Sequence, residues 1–119
     1  MRIFNSTVGD PMLLDTVEGL CTLHGAFERF LASIVVDISF AAEITGDPAP
    51  YIEFLQGLRV RKGGESKLTL SQDRWLELVG SHQELKSFSE KLLLENEGGH
   101  HHWNSIPVSL IIEAVDLDF

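Results

Sequence analysis

Residues 58–80 read LRVRKGGESKLTLSQDRWLELVG, and apolar and polar side chains alternate along most of this stretch. A period of two is typical of β-strands that bury one face. The arms LRVRK and SKLTL are separated by residues 63–65, a Gly-Gly-Glu connection that favours a hairpin. After a tight turn at 71–73, RWLELVG places Leu76 and Leu78 on one side. The stretch therefore predicts three antiparallel strands.

Toward the N-terminus, the pattern predicts a helix followed by a strand. Asp10 is in position for an N-cap and Pro11 for the first helical residue. Apolar residues then recur at steps of three and four across 13–31, as on one face of an amphipathic helix. Residues 34–45 alternate and are rich in β-branched side chains, which predicts a strand. Residues 51–58 have room for a turn or two of helix.

Toward the C-terminus, a second helix and a closing strand are predicted. Ser81 and Glu84 form a capping-box pattern at the start of a helix over 81–95. Residues 108–119 alternate as a closing strand. Residues 1–119 are therefore predicted to form a single α+β domain. We expect a mainly antiparallel sheet of four to five strands with two helices packed on one face.

Composition predicts a soluble cytoplasmic protein. The chain has 119 residues, 44% of them hydrophobic, which is enough for a core. Its single cysteine, Cys21, cannot form an intrachain disulfide, which favours a reducing compartment. The first twelve residues lack the apolar core of a signal peptide. The most apolar run, 33–44, is interrupted by Asp37 and is too short to span a bilayer.

The negative net charge indicates which classes of molecule the protein can bind. Nine Lys and Arg residues against eighteen Asp and Glu residues leave −9 at pH 7. Such a surface keeps a protein soluble and repels nucleic acid and anionic lipid, which both require cations for binding. It attracts a basic partner and raises the rate of association. We therefore expect a protein partner, and neither nucleic acid nor a membrane.

Three consecutive histidines, His100 to His102, follow two glycines in the stretch EGGHHHWN. In an extended backbone, side chains at i and i+2 point the same way, which places His100 and His102 about 6.6 Å apart. Two imidazoles at that spacing can share a zinc, nickel or copper ion. A complete site needs further ligands, and no second motif supplies them. Metal binding is therefore kept as an alternative, and no metal or cofactor is predicted.

A catalytic role needs more than a histidine that titrates near neutral pH. The sequence contains no nucleophile-elbow, phosphate-loop or dinucleotide-binding motif. Cys21 lies in the apolar pattern of the first helix, where we expect it to be buried. The sequence therefore predicts no catalytic residue and a protein that is not an enzyme.

Four short segments within about residues 34–117 stand out: Gly46 to Tyr51 (GDPAPY), Asp73 to Leu78 (DRWLEL), the histidine run, and Ser109 to Glu113 (SLIIE). In this order they resemble the immunity protein 32 family of bacterial polymorphic toxin systems. The resemblance implies a cytoplasmic protein that neutralises a cognate toxin domain by binding to it. If that toxin is a basic nuclease, an acidic inhibitor imitates nucleic acid and associates quickly.

Loops and their rims combine charge with aromatic side chains, the composition that anchors interfaces. The glycines at 98 and 99 predict an exposed, flexible loop before the histidines. The residues predicted to bind the partner are Glu43, Asp47, Tyr51, Glu53, Glu97, His100, His102 and Trp103. Tyr51 and Trp103 could equally pack against the sheet.

Three hypotheses about function follow from the sequence. The first is a protein-binding domain, an immunity protein in the reading that the resemblance supports. The second is a small metal-binding protein that uses His100 and His102. The third is a homodimer or larger homo-oligomer of structural role, paired through an exposed edge strand.

Overall fold

The computed structural model describes residues 1–6 and 9–116, which form two β-sheets and two α-helices. The elements in chain order are β1 (Arg2–Asn5), β2 (Met12–Asp15), α1 (Val17–Ala32), β3 (Asp37–Ala41), β4 (Glu53–Phe54), β5 (Gly57–Lys62), β6 (Lys67–Leu70), β7 (Trp75–Gly80), α2 (His82–Glu90), β8 (His100–Trp103) and β9 (Leu110–Ala114).

The nine strands divide between two mixed sheets. A five-stranded sheet has the order β4-β1-β2-β9-β8, and a four-stranded sheet has the order β3-β5-β7-β6. Each sheet has one parallel pair, β2 with β9 and β5 with β7, and the other pairs are antiparallel. The predicted α+β class and the mainly antiparallel pairing are confirmed. The single sheet of four to five strands is corrected to two sheets.

One core joins both sheets and both helices. Its buried members include Leu13 and Ile112 of the five-stranded sheet, Leu76 of the four-stranded sheet, and Phe27 and Phe88 of the helices. The Cα radius of gyration is 13.4 Å, against about 13.5 Å for a compact domain of this length. The chain is therefore one domain built around a shared interior.

The predicted start of the first helix is wrong. Residues 12–15 form β2, and α1 begins after Thr16, whose hydroxyl accepts a hydrogen bond from the backbone N–H of Gly19 at 2.9 Å. Leu13 and Leu14 are both buried, on opposite faces of a strand that has a neighbour on each side. A strand buried on both faces reads as a continuous apolar run, which periodicity alone cannot separate from a helix.

The predicted strands at 58–70 are confirmed, but the hairpin between them is wrong. β7 lies between β5 and β6, parallel to the first and antiparallel to the second. Buried side chains on β5 and β7 place both strands in the middle of the sheet, where they gain more contacts than in a two-stranded hairpin. The turn at 71–73 and the shared face of Leu76 and Leu78 are confirmed.

Two further segments differ from the prediction. Residues 51–58 contain β4 and the start of β5 instead of helical turns, because Phe54 pairs with Phe4 across β1 and β4. Within 34–45 only Asp37–Ala41 is a strand, and Ile34 is 99% exposed. Pairing between distant segments overrode the local preference in the first case.

The second helix and the closing strand agree with their patterns. The hydroxyl of Ser81 accepts from the backbone N–H of Glu84 at 3.2 Å, so the predicted cap is confirmed. The helix ends at Glu90, shorter than the predicted range. Alternate residues of β9, Leu110–Ala114, are buried. Residues 117–119 of the predicted closing strand lie outside the described residues.

None of the helices in the described ranges, 1–6 and 9–116, has the length and apolar character needed to cross a bilayer.

Candidate partner-binding surface

The two glycines before the histidines end the predicted loop, where Gly98 is exposed, and form a β-bulge against Ala114. The N–H of Gly98 donates to the carbonyl of Ala114 at 2.7 Å, and the N–H of Ala114 donates to the carbonyl of Gly99 at 2.9 Å. Gly98 and Gly99 thus both lie opposite the single residue Ala114, and Gly98 has a φ of +80°. A glycine in the left-handed region is the mark of a G1 bulge. The bulge fixes the direction in which β8 starts.

The side chains of β8 alternate between the two faces of the five-stranded sheet. His100 and His102 are exposed on one face, with ring centroids 5.4 Å apart, so their predicted common direction is confirmed. His101 points the other way, and its Nδ1 lies 2.9 Å from the carbonyl oxygen of Lys91. Trp103 follows His101 onto that inner face. Its ring meets Phe88 edge-on at 5.4 Å.

Strand register brings the two exposed histidines into rows with apolar side chains from distant parts of the chain. We call the face that carries these rows the outer face of the five-stranded sheet. One row crosses all five strands and ends in His102, and a shorter one ends in His100. In register order, the first contains Phe54, Phe4, Met12, Ile111 and His102, and the second contains Arg2, Leu14, Glu113 and His100.

Exposure increases along the first row toward β8. Phe4 and Phe54 are buried, Met12 and Ile111 are half-buried, and His102 is exposed. Neither helix contributes to the small apolar cluster on this face, which consists of buried residues of β1, β2 and β4 with partly buried neighbours. The outer face thus offers a graded surface, apolar at one side and imidazole-bearing at the other.

Among residues 1–6 and 9–116, no strand pairs with the outer side of β8. Because the hydrogen-bonding pattern alternates along an antiparallel ladder, the bonds at Gly99 and Ala114 imply that His101 and Trp103 bond to β9. The N–H and C=O groups of His100 and His102 then point away from the sheet. β8 ends the strand order of the five-stranded sheet. An extended segment of another molecule could therefore hydrogen-bond here.

The predicted partner-binding residues fall into two groups at opposite edges of this sheet. Glu97, His100, His102 and Trp103 lie at the β8 edge, where Glu97 is exposed just before the bulge. The others precede or belong to β4, four strand positions away, or about 19 Å at the usual strand spacing. The members of this second group are Glu43, Asp47, Tyr51 and Glu53.

Within the second group, only Tyr51 joins the outer face. Its ring stacks on Phe4 with centroids 4.7 Å apart, and its hydroxyl donates to the sulfur of Met12 at 3.2 Å. Glu53 is held at 3.4 Å by Arg74, on a strand position that does not share the face of Phe54. Tyr51 is therefore a packed side chain that supports the apolar end of the row.

Glu43 and Asp47 are exposed residues of the connection between β3 and β4. The backbone N–H of Glu43 donates to the carbonyl of Met1 at 2.8 Å, which ties this connection to the N-terminus. The carboxylate of Asp47 accepts from the N–H of Ala49 at 3.0 Å, an Asx turn. Neither residue is brought to the histidines.

Trp103 does not accompany the histidines on the exposed surface as an interface anchor would. Its ring packs against the core, and its Nε1 is buried without a hydrogen-bond partner among the described residues. The reason is parity, because neighbouring residues of a strand point to opposite faces. The alternative that Trp103 packs against the sheet agrees with this placement.

Sequence reasoning missed Met12 and Ile111, which connect the histidines to the aromatic cluster. The sequence pattern predicts a helix at Met12, and it correctly predicts that Ile111 and Leu110 face opposite sides of their strand. No local signal identifies them as neighbours, because the parallel pairing of β2 with β9 joins residues about one hundred positions apart. Only the register of that pair places both residues in the row that ends in His102.

Charge divides the chain into two unlike parts. Residues 57–80 hold five of the nine Lys and Arg residues but only three of the eighteen Asp and Glu residues. The remainder, which includes every strand of the five-stranded sheet, therefore carries fifteen acidic residues against four basic ones. The strands of the outer face come from this acidic part of the chain, and the two rows themselves carry one residue of each sign, Glu113 and Arg2.

The basic part centres on Arg59, on the exposed side of the four-stranded sheet. Its guanidinium group lies 4.5 Å above the ring of Trp75 and pairs with Asp73 at 2.8 Å and with Glu77 at 3.2 Å. Hydrogen bonds from Arg59, and then from the hydroxyl of Ser71, lower the pKa of Asp73 below its usual value. The hydrogen bond with Asp73 correspondingly raises the pKa of Arg59.

Replacing Asp73 by asparagine should reduce the loss of stability in acid. A carboxyl group whose pKa is lower in the folded chain binds protons more readily after unfolding, so its stabilising effect is present above the ordinary pKa and is lost as the pH falls through the folded value. Urea midpoints at pH 7, 5, 4 and 3 measure this. We expect a shallower decline for Asp73→Asn than for the wild type.

The matched control is Asp47→Asn, which removes a carboxylate from an exposed loop. We expect its acid-dependent decline to follow that of the wild type. Identical curves for Asp73→Asn and the wild type would contradict the assignment of a lowered pKa to Asp73.

The structure places the two histidines of the metal hypothesis and the single cysteine, Cys21. Across residues 1–6 and 9–116, no group of three or more His, Cys, Asp and Glu side chains is arranged to hold one metal ion. His100 and His102 thus point the same way as predicted but are not joined by the additional ligands that the metal hypothesis requires.

Cys21 is exposed, so its predicted burial is wrong. The buried stripe of α1 runs through Leu20 and Leu23 instead.

Comparison of the chain with protein-family models, with curated proteins and with solved structures gives no match in any of the three.

Proposed function

We propose that this chain is a non-enzymatic binding protein, an immunity protein that neutralises a basic toxin domain of a bacterial polymorphic toxin system. The resemblance to the immunity protein 32 family suggests the class of partner. The outer face of the five-stranded sheet, with its β8 edge, is the contact surface in this proposal. Such a protein would act in the cytoplasm, where a toxin must be neutralised before it damages its own cell.

The observation that carries the proposal is the arrangement of His100 and His102. Both imidazoles are exposed, His102 lies opposite the half-buried Ile111, which in turn lies opposite Met12, and both histidines have outward-pointing backbone groups. Interfaces commonly combine an apolar centre with polar groups that satisfy hydrogen bonds at the rim. A partner segment laid along β8 would meet hydrogen-bonding backbone, imidazole rings and apolar surface at one place.

Charge supports a basic partner for this surface. Glu113 lies opposite His100 in the ladder, and Glu97 is exposed at the start of β8. The acidic excess of the chain outside residues 57–80 would raise the rate at which a cationic protein arrives, and salt would weaken that effect. An inhibitor of this kind needs only to cover the partner's working surface.

Replacing His100 and His102 together by alanine should weaken partner binding by about 30-fold or more, because the loss of a single hot-spot residue costs about 2 kcal/mol or more. The probe is the product of the adjacent upstream gene, if that gene encodes a toxin domain. Its dissociation constant is measured by titration calorimetry at 50 mM and at 300 mM salt. We expect weaker binding of the wild type at the higher salt concentration.

The matched control is the double variant His24→Ala/His82→Ala, which removes two imidazoles that lie on the helices. It should bind as the wild type does. Absence of any complex at 50 mM salt would overturn the proposed function. Equal losses in both double variants, or no loss in either, would show that β8 is not the contact surface.

A further inference from the structure

β3 forms an edge of the four-stranded sheet, and its outer backbone groups are available for pairing. The N–H of Lys62 donates to the carbonyl of Val36 at 2.8 Å, and the N–H of Ala42 donates to that of Gln56 at 2.9 Å. The even-numbered residues from Val36 to Ala42 therefore form their backbone hydrogen bonds with β5 or with Gln56, which directly precedes it. By the alternation of an antiparallel ladder, Asp37, Ser39 and Ala41 direct their N–H and C=O groups outward.

Two of the other three edges, β6 and β4, differ from β3, and the third, β8, is the surface of the proposed function and follows the bulge at Gly98. β6 is covered, because Leu68 donates to the carbonyl of Ile106 at 3.1 Å and accepts from the N–H of Val108 at 3.2 Å. β4 has only two residues. Edge strands are usually protected by lysine, proline, a bulge or short length. The sequence of β3, DISFA, has five residues, neither proline nor lysine, and one charge.

The segment before β3 adds an exposed apolar surface in line with this edge. Ile34, Val35 and Val36 are 99%, 51% and 60% exposed. The segment is held in place, because the ammonium group of Lys62 donates to the carbonyl of Ser33 at 2.7 Å. Three consecutive β-branched residues exposed beside an open sheet edge indicate a contact surface.

We propose that this edge pairs with the same edge of a second copy of the chain. The two β3 strands run antiparallel across a two-fold axis, with Asp37 opposite Ser39 of the second copy and Ile38 opposite itself. The two four-stranded sheets then form one continuous sheet of eight strands. This proposal concerns a different surface from β8 and does not depend on the identity of any toxin.

Register selects this alignment among those that the hydrogen-bonding pattern permits. The residues whose N–H and C=O groups point outward must oppose each other, and axes through Asp37, Ile38 and Ser39 meet this condition while keeping most of β3 in the pairing. An axis at Asp37 places like charges directly opposite, which is destabilising. An axis at Ser39 brings Val35 against the carboxylate-bearing Glu43. The axis at Ile38 avoids both of these pairs.

With the axis at Ile38, the pairs on each side of the sheet match in character. On the core side, Val36 meets Phe40 of the second copy and Ile34 meets its Ala42, so the most exposed apolar residues are covered. On the other side of the sheet, Asp37 has Arg61 of its own chain on one side and Ser39 of the second copy on the other. That Ser39 is in turn paired with Arg59 of the second copy. The row therefore contains no like charges in direct opposition.

The first test measures the oligomeric state by light scattering at protein concentrations from 1 to 500 µM, on the order of the range in which weak dimers form. We expect the mass to rise from that of the 13.3 kDa chain toward twice that value. Ile34→Asp should raise the dimer dissociation constant by about tenfold or more, because it places a charge against apolar surface and near Glu43 of the second copy. Ile106→Asp, at a residue 74% exposed elsewhere, should leave it unchanged.

The second test is a cross-link in a Cys21→Ser background. Ile38→Cys should form an intermolecular disulfide on mild oxidation, because the proposed axis makes residue 38 a non-hydrogen-bonded pair with Cα atoms about 4.5 Å apart, within disulfide range. Ile106→Cys is the matched control and should remain unlinked.

A mass of one chain at every concentration would overturn the proposal, as would a dimer that persists in Ile34→Asp without a cross-link at residue 38. A cross-link in Ser39→Cys but not in Ile38→Cys would overturn the proposed register. Loss of the dimer in Ile34→Asp alone, together with the residue 38 cross-link, would support both parts.

Discussion

Replacing Phe88 by alanine is expected to lower the free energy of unfolding by about 3–5 kcal/mol, the usual cost of removing a buried phenylalanine ring. Phe88 has no exposed surface. Its ring lies 5.4 Å from the ring of Phe27 on α1 and 5.4 Å from that of Trp103 on β8. The substitution would leave a cavity where both helices meet the histidine strand.

Urea unfolding at pH 7 measures this change, with Leu93→Ala as the control. Leu93 lies just after α2 and is 44% exposed, so its truncation should cost less than about 1 kcal/mol. Hydrogen exchange at the amides of His101 and Trp103 should also quicken in Phe88→Ala, because the ring supports β8 from the inner face. Equal losses of stability in the two variants would contradict the assigned core.

Replacing Gly57 by alanine is the second large expected change, a loss of about 2–3 kcal/mol. Gly57 begins β5 between Ala41 of β3 and Trp75 of β7. An added methyl group would overlap the carbonyl oxygen of Phe40 and approach the ring of Trp75 to 2.5 Å. The carbonyl belongs to the β3–β5 ladder and the ring carries the guanidinium group of Arg59, so neither moves without loss of other contacts.

The measurement is again urea unfolding, and Gly9→Ala is the matched control. Among the described residues, no atom lies within 4 Å of a methyl group added at Gly9. We expect that control to change stability by no more than about 0.5 kcal/mol. A Gly57→Ala variant as stable as the wild type would show that β3 and β7 are not packed around this residue as described.

The sequence predicted the features that depend on residues close together in the chain. The capping of α2 requires Ser81 and Glu84, three positions apart, and the structure contains that hydrogen bond. The shared face of Leu76 and Leu78 and the common direction of His100 and His102 follow from the two-residue period of a strand. These patterns are local, so they hold in any arrangement of the sheets.

Tertiary structure decided which strands became neighbours, and with that the content of the candidate surface. The run 12–15 could begin a helix or form a strand, and pairing with both β1 and β9 made it a strand. That pairing placed Met12 and Ile111 in the row that ends in His102. Packing of Phe88 against one face of β8 decided that Trp103, and not the two exposed histidines, faces the core. Backbone hydrogen bonds and apolar burial between distant segments determine such register, and no short-range pattern encodes their partners.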